Sequence, residues 1–137
     1  MEPQRGRALM RLLLDTHALL WWFTDDPRLS ARARAVIADT GNSIHASAAS
    51  AWEIATKQRI GKLDEVPEAA KRYGELIDAD GFIHLPVTHL HALRAGGWQV
   101  DHRDLFDRML AGQSTLERMP LVTRDPAFEQ FGIQTLW

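Results

Sequence analysis

Leu12-Leu13-Leu14 is a short apolar run ended by Asp15 and reads as a buried strand, with a buried helical segment as the alternative that length alone leaves open. Residues 18–23 follow as a helical segment, stopped by the turn cluster Thr24-Asp25-Asp26-Pro27. Ser30 stands where it can cap a helix over residues 31–39, closed by Gly41. Residues 43–46 read as a weak strand. Residues 47–59 read as a helix with Ala48, Ala51, Trp52 and Ala55 on its apolar face and Gly61 as its stop. Next come a helix over residues 68–78, a strand over 82–85, and a short helix over 90–95 that breaks at Gly96-Gly97. Residues 104–116 are strongly amphipathic, with Leu105, Phe106, Met109 and Leu110 expected on the buried side. Residues 121–123 predict a strand, 126–131 a helical turn, and 133–136 a last strand.

Strands alternating with helices predict an α/β fold of three layers, α/β/α, around a central parallel sheet of four to five strands. Functional groups in such sheets gather at the carboxyl ends of the strands. Asp15 and Asp125 end or follow apolar strands, while Glu53 and Asp107 lie early on helices. If those strands are neighbours, four carboxylates reach one rim. Like charges at close range raise one another's pKa, and a hard divalent cation removes that cost. Each acid also has a plainer use. Asp125-Pro126 is a good helix start, Asp15 can end its strand in a local turn, and Glu53 can pair with Lys57 one turn on. Asp104 is the natural cap of the helix that carries Asp107, and spacing alone does not say which of the two faces the site.

Composition narrows the chemistry. The 137 residues carry 16 Lys+Arg against 18 Asp+Glu, which excludes nucleic-acid binding by bulk positive charge. Without cysteine there is no disulfide framework, thiol nucleophile or Cys-based metal site. The histidines lack metal-ligand spacing, since His89 and His91 flank Leu90. There is no phosphate-binding glycine loop, no nucleophile elbow and no dinucleotide fingerprint. The longest apolar run, residues 18–23, is far too short to span a membrane, so a cytoplasmic protein is expected. Residues 1–9 read as an N-terminal extension, poorly ordered, ahead of a single domain over 10–137.

Four blocks in order carry a family resemblance. Leu12-Leu13-Leu14-Asp15-Thr16-His17-Ala18-Leu19-Leu20-Trp21 resembles the opening of VapC-type toxins, which are PIN-domain ribonucleases. Ser50-Ala51-Trp52-Glu53-Ile54-Ala55-Thr56-Lys57 resembles the family's second acidic block. His102-Arg103-Asp104-Leu105-Phe106-Asp107-Arg108-Met109-Leu110 resembles its third, and Leu121-Val122-Thr123-Arg124-Asp125 its fourth. The resemblance implies a PIN-like domain with Asp15, Glu53, Asp107 and Asp125 as an acidic quartet around Mg²⁺, with Mn²⁺ as substitute. It makes Asp104 the helix cap or a rim residue, and gives Thr16 and Thr123 supporting places in the site. It also implies a toxin–antitoxin system, in which a metal-dependent endoribonuclease, a homodimer, is blocked by a VapB-like antitoxin. Arg108 and Lys57 are the cations chosen to meet RNA phosphates. The alternative is a catalytically inactive PIN-like module that binds antitoxin or RNA; a phosphoacceptor domain is disfavoured for want of a paired acid after the first strand.

Two departures from the family pattern stand out. Leu105 occupies a place where proline is frequent, and Gly112-Gln113-Ser114 replaces an alanine-rich run. Gly112 is expected to loosen its helix by up to about 1 kcal/mol relative to alanine.

Overall fold

The computed structural model describes residues 9–137, so the extension expected over 1–9 lies, but for Leu9, outside the described residues. In chain order the elements are β1 (Arg11–Leu14), α1 (Thr16–Phe23), α2 (Ala31–Ala38), β2 (Ser43–Ser47), α3 (Ala48–Arg59), α4 (Tyr73–Ala79) and β3 (Ile83–Leu85). There follow α5 (His89–Gly97), α6 (Leu105–Glu117), β4 (Leu121–Val122), a 3₁₀ turn (Pro126–Phe131) and β5 (Thr135–Leu136). The five strands form one sheet in the order β3-β2-β1-β4-β5, every neighbouring pair parallel.

The apolar run of β1 explains its central place. A strand covered on both faces must be apolar on both, and Leu12, Leu13 and Leu14 are each fully buried. Leu12 and Leu14 join a core with Leu19, Ala33 and Ile37 of α1 and α2. Leu13 points the other way, into a core with Leu110 and Ala111 of α6 and Phe128 of the 3₁₀ turn. The sheet is therefore the middle of three layers, as expected. Register then aligns the carboxyl ends: Leu14 pairs with Val122, and Leu13 with both His45 and Leu121.

Several helix faces depart from the sequence expectation. The inward face of α3 is Ala49, Ser50, Glu53 and Ile54, while Trp52 is 56% exposed. Polar Ser50 and Glu53 can turn inward because each finds a partner there, which hydrophobicity along the chain does not disclose. On α6, Leu105 is 65% exposed; Leu110 is buried as expected, and burial continues through Ala111, Gly112, Gln113 and Ser114. α4 begins at Tyr73 rather than Glu68, after a run of turns, and α5 continues through Gly96-Gly97 instead of breaking there.

The Gly112-Gln113-Ser114 departure has a packing reason. A Cβ on Gly112 would stand 3.2 Å from the His91 carbonyl oxygen, so the glycine lets α6 lie against the α5 backbone. Gln113, fully buried, accepts from the Ser47 hydroxyl at 2.5 Å and donates to the Pro86 carbonyl at 3.2 Å. The Ser114 hydroxyl donates to the Met119 carbonyl at 2.6 Å. Among the described residues, no helix is long and apolar enough to cross a membrane.

Candidate active site

Asp15 follows the last residue of the central strand and caps α1. Its Oδ1 accepts from the Ala18 N–H at 2.7 Å, and its Oδ2 from the Thr123 hydroxyl at 2.5 Å. β1 and β4 are neighbours, so Thr123, just past β4, arrives opposite Asp15. The same Thr123 hydroxyl accepts from the Asp125 N–H at 3.1 Å, which pins the turn carrying the second acid. Asp125 is exposed and caps the 3₁₀ turn by accepting from the Ala127 N–H at 2.9 Å. The cap expectation and a place beside Asp15 are thus compatible, since the other carboxylate oxygen stays open.

Glu53 reaches the rim from the buried face of α3, at 4% exposure, and accepts a hydrogen bond from the Lys57 ammonium. One turn before it, the Ser50 hydroxyl lies 2.9 Å from that of Thr16, joining α3 to α1. Asp107 sits in the first turn of α6. Its Oδ2 is 3.0 Å from His102 Nε2. Asp104 is the cap of that helix, accepting from the N–H groups of Phe106 at 2.9 Å and Asp107 at 3.1 Å.

The electrostatics tie these acids together. Burial pushes the Asp15 carboxyl from 3.8 up to about 6, with the charges of Glu53 and Asp125 adding to the rise against the hydrogen bonds from Thr123 and Ala18. Burial likewise raises Asp107 from 3.8 to about 6, against the His102 hydrogen bond and with Asp104 and Glu53 adding. The charge of Glu53 therefore acts on both acids. Asp15 and Asp125 also line one cleft of about 620 Å³, together with Trp21, Arg28, Lys57 and Arg124.

As donors, the four carboxylates suit a hard divalent cation: all are oxygen ligands, and Asp15 and Asp107 are held back from ionising by burial and by neighbouring carboxylates. They are not a ready-made cage. Among the described residues, no three acids or histidines stand as a ligand set, and Asp15, Glu53 and Asp107 each accept or share a hydrogen bond with Thr123, Lys57 and His102 respectively.

Arg108 is not placed to meet RNA. Its guanidinium donates to the carbonyls of Ala95, Val100, His102 and Trp98, so it is spent on tying residues 98–102 to α6. Lys57 does line the cleft. The structure adds residues that the sequence reading did not single out: Ser50 and His102 as partners of named residues, and Arg28 and Arg124 on the cleft wall. Ser50 had a signal, one helical turn before Glu53; His102 had only its place in the same block. Of the aromatic run, Trp21 is buried, whereas Trp22 and Phe23 are half-buried against the core and Phe82.

Comparison with known proteins places this geometry. The PIN domain model matches residues 12–134. Over 77 residues the chain is 43% identical to Ribonuclease VapC16 of Mycobacterium tuberculosis (strain ATCC 25618 / H37Rv). That match covers 52% of this chain and 55% of the relative, about half the length of each. In fold, the chain resembles one in the crystal structure of VapBC2 from Rickettsia felis bound to a DNA fragment from their promoter, with TM-score 0.64 and 16% identity over 93% of this chain and 98% of that one. A chain in the structure of FitAB bound to an IR36 DNA fragment gives TM-score 0.55 and 17% identity, over 91% of this chain and 93% of that one. With nearly its whole length matched by the family model, the chain belongs to the PIN domain family.

Proposed function

We propose that this protein is a metal-dependent endoribonuclease, the toxin of a VapBC-type toxin–antitoxin pair, hydrolysing RNA phosphodiester bonds in the cytoplasm. The observation that carries the reading is the coupling of Asp15, Glu53 and Asp125 at the carboxyl end of the central strand, on an open cleft. The partial match to Ribonuclease VapC16 supports the same substrate class. Asp15, Glu53, Asp107 and Asp125 would hold Mg²⁺, with Mn²⁺ as substitute. The chemistry such an ion supplies when bound is a lowered pKa for water and charge compensation at the phosphate.

The chain's own residues prepare that site. Thr123 fixes the rotamer of Asp15 and the start of the Asp125 turn with a single hydroxyl. Thr16 and Ser50 lock α1 to α3, setting the distance between Asp15 and Glu53. His102 orients Asp107, and Lys57 donates a hydrogen bond to Glu53 that orients its carboxylate. A VapB-like antitoxin and a homodimer complete the reading. The large exposed apolar side chains Trp52, Leu90, Leu93 and Leu105 are the surface such partners would cover. No observation favours an inactive module, as all four acids are present.

The test is RNA cleavage by the purified, partner-free protein. Mg²⁺ or Mn²⁺ is expected to support cleavage, EDTA to stop it, and Asp15→Asn to reduce the rate by about 10²-fold or more. Cleavage by Asp15→Asn equal to that of the unaltered protein would reject the mechanism.

A further inference from the structure

The cleft that holds Asp15 and Asp125 has a second wall, made of cations and one aromatic ring. Trp21 is buried there at 7% exposure, and two guanidinium groups stand over its ring. The Arg124 guanidinium carbon is 4.6 Å from the ring centroid, and that of Arg28 is 4.9 Å away. Arg28 is already committed: its Nε and Nη2 donate to the two oxygens of Asp26 at 3.0 and 2.7 Å. Arg124 is exposed and donates no hydrogen bond to any described residue. Its backbone is nevertheless held, between Thr123, whose hydroxyl donates to Asp15, and Asp125, whose N–H donates to that hydroxyl.

A guanidinium stacked on a ring keeps its N–H edge free, and that edge matches two oxygens of one phosphate. Asp26 holds the Arg28 guanidinium in a two-pronged ion pair and feels the charge of Arg124 as well, so what sets Arg124 apart is a stacked guanidinium whose N–H groups are free, with Lys62 as a further cation lining the cleft. A polyanion approaching a rim of carboxylates is repelled unless a cation beside the rim attracts it.

We infer that Arg124, stacked on Trp21, is a substrate-positioning residue that binds a backbone phosphate of the RNA next to the one being cut. The inference rests on the ribonuclease reading and adds to it a residue chosen neither by the acidic quartet nor by the cations singled out from sequence. RNA is favoured over an acidic protein segment because Arg124 shares one short turn with Asp125, and Thr123 of that turn bonds Asp15.

The experiment compares Arg124→Gln with the unaltered protein on a single-stranded RNA oligonucleotide that the latter cleaves. Arg124→Gln is expected to raise KM about tenfold with kcat within about twofold, and to lower the slope of log Kd against log salt, measured in EDTA, by about 0.7. Arg124→Lys recovers the salt slope but only part of the affinity, because the ammonium lacks the planar fork. Arg32→Gln, on α2 outside the cleft, changes neither quantity. Replacing the phosphate beside the cut by methylphosphonate weakens binding to the unaltered protein by the same factor and to Arg124→Gln no further. An Arg124→Gln protein with unchanged KM and salt slope overturns the inference while leaving the ribonuclease reading intact. So does one that loses binding only to polyglutamate. Failure of the unaltered protein to cleave any RNA sinks the ribonuclease reading instead.

Discussion

Asp15 and Asp107 are carboxyls that the fold holds back from ionising, each raised from 3.8 to about 6 with burial as the first cause. The unfolded chain releases these protons near its ordinary value, and the folded chain keeps them longer. In the metal-free protein, stability therefore falls as pH rises from about 4 to about 6, where the folded state binds more protons than the unfolded one. Asp15→Asn removes its share of that loss. In EDTA, its Tm is expected to exceed that of the unaltered protein by a few degrees at about pH 7, with the gap shrinking towards about pH 4. Equal gaps at both ends of a thermal-shift series would show that the raised pKa has no energetic weight. Lys57 gives the complementary case. Lys57→Met leaves Glu53 buried without its cation and should cost about 2 kcal/mol in denaturant unfolding. Mg²⁺ or Mn²⁺ should then stabilise Lys57→Met more than the unaltered protein, because no ammonium competes for the carboxylate. A smaller metal-induced Tm rise in the variant would contradict that competition.

At the scale of elements, α6 shows where propensity yields to packing. Helix propensity alone makes Gly112→Ala a gain of up to about 1 kcal/mol. The added Cβ meets a helix backbone carbonyl at 3.2 Å, which has little freedom to retreat. Gly112→Ala is therefore expected to lower urea-unfolding stability by about 1 kcal/mol, and a measured gain would show that α5 and α6 can separate at low cost. Arg108 links elements in another way. Three of its hydrogen bonds to carbonyls hold residues 98–102, a fourth goes to Ala95 of α5, and His102 in that segment bonds Asp107. In Arg108→Met, hydrogen exchange should speed up across 98–102 while the β1 amides stay protected. Unchanged exchange there would mean that Trp98 and His102, packed against Phe131, suffice to hold the segment.

For the whole molecule, the arrangement follows from which strand is central. β1 lies between β2 and β4, so residues more than a hundred positions apart, Asp15 and Thr123, are brought within hydrogen-bond distance. The exposed face is less economical: Trp52 packs edge-on against Phe106 at 4.7 Å, while Trp52 itself and the neighbouring Leu105 stay largely exposed. Such apolar area is expected to be covered in a homodimer, so light scattering on the partner-free protein should give twice the mass of one chain. A monomer across the accessible concentration range would remove the homodimer from the proposed function.

Local chemistry in the sequence was enough for the order of the elements and for several of their caps, though not for the start of α4 or the end of α5. Three consecutive leucines need cover on both faces, which predicts the buried strand. Ser30, Asp104 and Asp125 cap where capping chemistry says they should. Three of the four acids were legible as candidates for the same reason: Asp15 and Asp125 follow strands and Asp107 lies in the first turn of α6, whereas Glu53 sits farther along α3. Tertiary structure decided which faces turn inward and which cations remain available. Glu53 is inside and Trp52 outside because Lys57, Ser50 and Thr16 supply polar partners across elements, and no periodicity along α3 encodes them. Arg108 is spent and Arg124 open because hydrogen-bond partners for a guanidinium are set by distance in space. Periodicity registers how apolar a position is; whether a charged group is satisfied depends on what the fold brings next to it.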